Sequence, residues 1–124
     1  MKNGRYIDRD GTNIWYLSDQ LHREDGPAIE WVNGDKEWFL YGKKHRDDGP
    51  AIENSDGTKE WYVNDQLHRE DGPAVQLASG TTEWWLNGQE LPEDEFNQWF
   101  MKKELNEKLH VTLKPKPTKK RVKI

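Results

Sequence analysis

Three clusters with the makings of acid-base or metal chemistry recur along this 124-residue chain: His22-Arg23-Glu24-Asp25, His45-Arg46-Asp47-Asp48 and His68-Arg69-Glu70-Asp71. An imidazole beside carboxylates can shuttle a proton or ligate a metal, and the adjoining guanidinium can hold an anion. Spacing argues against a shared site. The clusters stand 23 residues apart, and if each interval folds into two strands, equivalent side chains fall ~10 Å apart, two strand spacings. Nitrogens on one zinc lie within ~3.5 Å of each other, so His22, His45 and His68 cannot bind one ion. An active site is also built once, whereas this set is built three times. The residues therefore predict no enzyme, no metal and no cofactor. Arg23, Arg46 and Arg69 should pair with acids of their own or the adjoining unit, and each His should hydrogen-bond a loop carbonyl. The competing reading is a ligand-facing row of imidazole and guanidinium groups.

The elements that hold these clusters repeat with them. Each cluster runs on into Gly-Pro-Ala, at Gly26-Pro27-Ala28, Gly49-Pro50-Ala51 and Gly72-Pro73-Ala74. Proline fixes φ and removes a donor, glycine permits a turn that a Cβ would obstruct, and Asp25, Asp48 and Asp71 can bond the backbone just ahead. The segment is a corner. Between corners, Asp10-Gly11, Asn33-Gly34, Asp56-Gly57 and Ser79-Gly80 supply the positive φ that tight hairpins demand. A second turn falls at Ser18-Asp19, Tyr41-Gly42, Asn64-Asp65 and Asn87-Gly88, which in the second unit leaves strands over 28–31 and 36–40. The expectation is a mainly β protein, an antiparallel meander of tandem 23-residue hairpin units that begins with half a unit at 6–11.

Successive side chains on a strand point to opposite sides. Trp15, Trp38, Trp61 and Trp84 then share a face with Leu17, Leu40, Val63 and Leu86, and this row is the expected core. Tyr16, Phe39, Tyr62 and Trp85 fall on the other, partly solvent-facing side. Aromatics repeated there with Arg nearby suit a protein, a peptide or a planar base. Trp31 joins these candidate contacts, because Asn54 and Leu77 stand at its equivalents.

The fourth corner is missing. In its place stands Leu91-Pro92-Glu93-Asp94-Glu95-Phe96, an acid-rich helix start, and Phe96, Trp99 and Phe100 follow at helical spacing. The organisation expected is a repeat array over 1–91, a helix over 92–109 that caps the array's open end, and a basic, flexible tail over 110–124. Within that tail His110-Val111-Thr112-Leu113 suits a short strand.

Composition bounds the partners. With 32% hydrophobic against 34% charged residues the core must be thin, and the seven Trp supply the apolar area it needs. The last eleven residues hold six cations and no acid, leaving 13 basic against 23 acidic residues in the rest. An acidic body repels phosphates, so nucleic acid, if bound at all, should meet the tail at Lys119, Lys120, Arg121 and Lys123. There is no Cys for a disulfide or a thiolate site. No apolar run approaches the ~20 residues of a membrane span, and Met1-Lys2-Asn3-Gly4-Arg5 leads into no apolar secretory core. A cytoplasmic location without membrane insertion is expected. The open strand edge at 6–10 can pair with another copy, so a homo-oligomer is a further expectation.

The 23-residue period, the Trp/Tyr/Phe pair, the Asn-Gly-like turn and the following His resemble the MORN repeat, and more closely its variants carrying His-Arg-x-Asp-Gly-Pro-Ala, found in small bacteriophage and bacterial proteins. The likeness covers residues 6–96. It departs from the usual repeat in having Arg after the His. The resemblance implies a row of antiparallel hairpins and a non-enzymatic scaffold that binds a protein partner, in the phage case an accessory product acting on a host factor. The alternatives from other classes are a small-molecule or nucleotide binder using the aromatic and His/Arg rows, and nucleic-acid association through the tail.

Overall fold

The computed structural model describes residues 1–113, and the chain divides into two compact units, Met1–Pro92 and Glu93–Ile124. The first is antiparallel β throughout. Its strands are β1 (Gly4–Ile7), β2 (Asn13–Leu17), β3 (Gln20–Leu21), β4 (Ile29–Glu30), β5 (Lys36–Glu37), β6 (Phe39–Leu40) and β7 (Lys43–Lys44). These are followed by β8 (Ile52–Glu53), β9 (Lys59–Glu60), β10 (Tyr62–Val63), β11 (Gln66–Leu67), β12 (Val75–Gln76), β13 (Thr82–Leu86) and β14 (Gln89–Leu91). One ten-stranded sheet runs in the order β1-β2-β4-β5-β8-β9-β12-β13-β14, with β3 beside β2. The hairpins β6-β7 and β10-β11 form their own two-stranded sheets.

Each middle unit thus has two hairpins, one in the main sheet and one off it. The equivalent Trp15 pairs with Arg5 of β1 and β2 stays whole, but the single strand expected over 36–40 is split at Trp38, which pairs with no strand residue. Its N–H donates across to Ala51 O of the next unit at 2.7 Å, and its carbonyl accepts from His45 N–H of its own second hairpin at 3.2 Å. The same pair of bonds recurs 23 residues away on either side, through Trp15 and Trp61.

The two turns exchange the geometries their residues suggest. At the glycine turns only the Gly has positive φ, 94° to 98°, and its N–H closes a three-residue step onto Asp8, Trp31, Asn54 or Leu77 O. That is a type I turn followed by a left-handed residue, the three-residue hairpin loop. The second turns are the tight two-residue ones. Both central residues are left-handed, as in Tyr41 (50°) with Gly42 (81°) and Asn64 (49°) with Asp65 (70°), the pair that matches strand twist.

The core is thin, with alanines at its most enclosed positions. Ala28, Ala51 and Ala74 are fully enclosed, and Ile29, Phe39 and Val75 are buried with them. Ala28, Ile29 and Phe39 form one cluster against Ile14 and Leu21. The Trp row expected to form the core is only half-buried.

The second unit is helix α1 (Glu93–Leu113). Glu93, Asp94 and Glu95 occupy its first turn, where the helix dipole favours anions, and Phe96 packs against Trp99 and Phe100 along it. No Gly or Pro interrupts 93–113, so residues 110–113 continue the helix instead of forming the expected strand.

Candidate functional site

The repeated clusters are built by one device, and it starts with Arg. In the second unit the guanidinium carbon of Arg46 lies 3.9 Å from the Trp38 ring centroid. Arg46 Nε donates to Asp48 at 3.1 Å, and Nη1 donates to Pro50 O and Glu53, each at 3.0 Å. Arg23 repeats this on Trp15, Asp25, Pro27 O and Glu30. Arg69 repeats it on Trp61, Asp71 and Pro73 O; Gln76 stands where the others have Glu30 and Glu53. On its far side each guanidinium rests against glycine. A Cβ built on Gly26, Gly49 or Gly72 would stand 2.8 to 2.9 Å from the Arg carbon. Glycine here gives the guanidinium room to approach and does not serve a left-handed backbone, since these three have no positive φ.

Histidine ties one unit to the next. His22, His45 and His68 accept, at Nδ1, the backbone N–H of Tyr41, Asn64 and Asn87 at 2.9, 3.1 and 2.9 Å. The partner is thus a turn N–H of the following unit, where a loop carbonyl was expected. With Nδ1 accepting, the ring proton sits on Nε2, which faces Glu24, Asp47 and Glu70 at 3.5, 2.8 and 3.1 Å. Alongside, the N–H of Arg23, Arg46 and Arg69 donates to the carbonyl of Phe39, Tyr62 and Trp85 in the next unit. A matching clip lies on the glycine-turn edge. Ser55 N–H donates to Asp35 at 2.7 Å, holding that carboxyl below the usual carboxylate range, and Ala78 N–H donates to Thr58 Oγ1.

These devices enclose two clefts related by the 23-residue shift. The first, about 550 Å³, lies between residues 23–26 and 45–48 with Trp38 and Leu40 between them. The second, about 600 Å³, lies between 46–50 and 68–71 with Trp61 and Val63. All six clustered candidates, His22, Arg23, His45, Arg46, His68 and Arg69, belong to this corner system, and all except His22 line a cleft.

The other candidate row is divided. Phe39 is 8% exposed and sits in the core. Tyr16 packs edge-on against Tyr6 with Lys2 over its ring. Tyr62 carries Lys44 over its ring and donates to Glu60 at 3.0 Å; burial and the Glu60 charge push its hydroxyl up to about 12. Trp85 donates to Glu83 at 2.8 Å. At the corresponding place Phe39 has nothing to donate, and Glu37 instead accepts the indole N–H of Trp31 at 2.7 Å. Trp31 is 41% exposed at the β4-β5 turn. None of these five lines a cleft.

Sequence reasoning missed the cleft residues Trp38, Trp61, Leu40 and Val63 by assigning them to the core. The signal for them is the Arg-x-x-Gly spacing, which brings a guanidinium onto the ring. Among the described residues no group of three or more His, Cys, Asp or Glu is placed to hold a metal, and no helix is long and apolar enough to cross a membrane. Lys119, Lys120, Arg121 and Lys123 lie outside the described residues. No family model, no curated protein and no solved structure matches the chain.

Proposed function

We propose that the chain is a non-enzymatic repeat scaffold, of the MORN-like kind its sequence resembles, that binds a protein partner along its cleft-bearing face. The observation that carries this reading is the recurrence of one cleft, lined by equivalent residues, at the repeat interval. A reaction needs one preorganised site, whereas a polymeric partner can use the same contact twice, and linked contacts raise affinity beyond either alone. The half-buried Trp beside Arg is also the residue pair that concentrates binding energy at protein interfaces. A nucleotide is less well served. The guanidinium groups a phosphate would need already hold Asp and a proline carbonyl.

The test is site-specific photocrosslinking in lysate of the producing cells, with the crosslinker at position 24 or 70 on the cleft rims and at position 56 on the glycine-turn edge as control. One protein joined in stoichiometric yield at 24 and 70 but not at 56 supports the reading. Equal yields at all three positions, or none at the rims, overturn it.

A further inference from the structure

The clefts differ from ordinary apolar grooves in their charge. Each is lined by four carboxylates and two guanidinium groups, and the guanidinium groups are bound within their own corners. The acids serve internal partners as well, Asp25 and Asp48 accepting from Arg23 and Arg46 and Glu24 and Asp47 facing His22 and His45. They nevertheless keep oxygen surface in solvent: the side chains of Glu24, Asp25, Asp47 and Asp48 are 76%, 88%, 85% and 87% exposed, and Glu70 and Asp71 of the second cleft 49% and 82%. Between these rims lie an indole and an aliphatic side chain, Trp38 with Leu40 or Trp61 with Val63. An ammonium or guanidinium group suits that setting, its head among the carboxylates and its methylene stem along the apolar surface. Resting on the protein-binding reading above, we infer that each cleft takes one Arg or Lys side chain of an extended partner peptide.

The sheet also sets the spacing of those cations. Each unit adds two strands to the main sheet, as β4-β5 and then β8-β9, so equivalent points on successive units lie ~9.4 to 9.8 Å apart. A β-strand presents same-side residues at ~6.8 Å and then ~13.6 Å, and neither matches. A polyproline II helix returns to the same side every third residue, after ~9.3 Å. The partner segment is therefore a polyproline II stretch with a basic residue at every third position, and its cations enter adjacent clefts.

The experiment measures fluorescence anisotropy of labelled peptides titrated with the full chain at low ionic strength. The probes are Arg-Pro-Pro-Arg, Arg-Pro-Arg, and the first peptide with citrulline or Glu in place of both Arg. Arg-Pro-Pro-Arg should bind about fivefold tighter than Arg-Pro-Arg, the equivalent of ~1 kcal/mol for one seated cation, and the citrulline and Glu peptides should not bind. Glu24→Gln with Asp47→Asn removes rim charge while keeping an oxygen for each His to donate to, and it should weaken binding about fivefold. Glu104→Gln, on the helix, should leave it unchanged, and near-UV circular dichroism checks that the variants fold. No binding of any peptide, equal binding of the citrulline peptide, indifference to spacing, or an unaffected rim variant overturns the inference. The crosslinking result stands apart: a partner captured at positions 24 and 70 that has no such basic segment sinks this inference and leaves the scaffold reading standing.

Discussion

Arg46 covers the ring of Trp38, with its guanidinium carbon 3.9 Å from the ring centroid. The pair is half-buried, with 22% of the Arg side chain exposed, and a proline carbonyl and two carboxylates converge on the same group. Arg46→Met keeps the stem but removes every donor, and should cost about 2 kcal/mol of unfolding free energy, the range for stranding partners of a partly buried charged group. Arg46→Lys keeps the charge but cannot stack flat and fork at once, and should recover only part of that loss. Urea unfolding of the two variants checks the order.

Gly49 and Gly57 predict different failures from the same substitution. At Gly49 a Cβ would meet the Arg46 carbon at 2.9 Å, whereas at Gly57 nothing lies within 4 Å but φ is 98°. Gly49→Ala should cost about 1 to 3 kcal/mol by overpacking, and much less in an Arg46→Ala background, where the obstructing group is gone. Gly57→Ala should cost the same in either background, since its strain is local. A double-mutant cycle reads the difference.

The period, both turn positions and the corner were legible because each is written in Gly, Pro, Asn and Asp, whose backbone preferences act locally. Which face forms the core was not. Alternation separates Trp38 from Phe39, but both rows are aromatic, so hydrophobicity gives no ranking between them. The choice is made by Arg46, eight residues beyond Trp38, and by the close approach that Gly49 allows it. The helix end was misread for a related reason: Val111 and Thr112 favour strand weakly, and propensity at two positions does not stop a helix that nothing else breaks.

His45 should govern coupling between units more than global stability. Its Nδ1 accepts Asn64 N–H at 3.1 Å, and Asn64 is exposed, so water can replace part of what is lost. His45→Phe keeps ring volume without an acceptor. It should cost ~1 kcal/mol and raise the exchange rate of the Asn64 amide about fivefold. The Tyr41 amide, held by His22, should exchange as before. Hydrogen exchange read by NMR distinguishes the two amides.

Asp35 links acid pH to the glycine-turn edge. Hydrogen bonds donated from Ser55, led by its backbone N–H, lower the carboxyl below its ordinary 3.8. A depressed carboxylate stabilises the fold above its unfolded value, and the contribution is lost as pH falls through the lower folded one. Asp35→Asn should therefore be less stable than the parent at neutral pH, with the gap closing below about pH 4. Thermal melts across that range measure it.

Tyr62 makes the opposite prediction at the alkaline end. Its hydroxyl donates to Glu60 at 3.0 Å, and burial with the Glu60 charge raises it from 10.0 to about 12. The folded state then holds a proton that the unfolded chain releases first. The contribution is whole below pH 10 and is lost as pH rises toward 12. Absorbance at the tyrosinate band should show one late transition, missing in Tyr62→Phe, and that variant should lose stability less steeply over the same interval. Glu60→Gln removes the charge but can still accept the hydroxyl proton, so its transition should fall between the parent's and the ordinary value. A Glu60→Gln transition identical to the parent's would leave burial and the Asp65 charge as the causes.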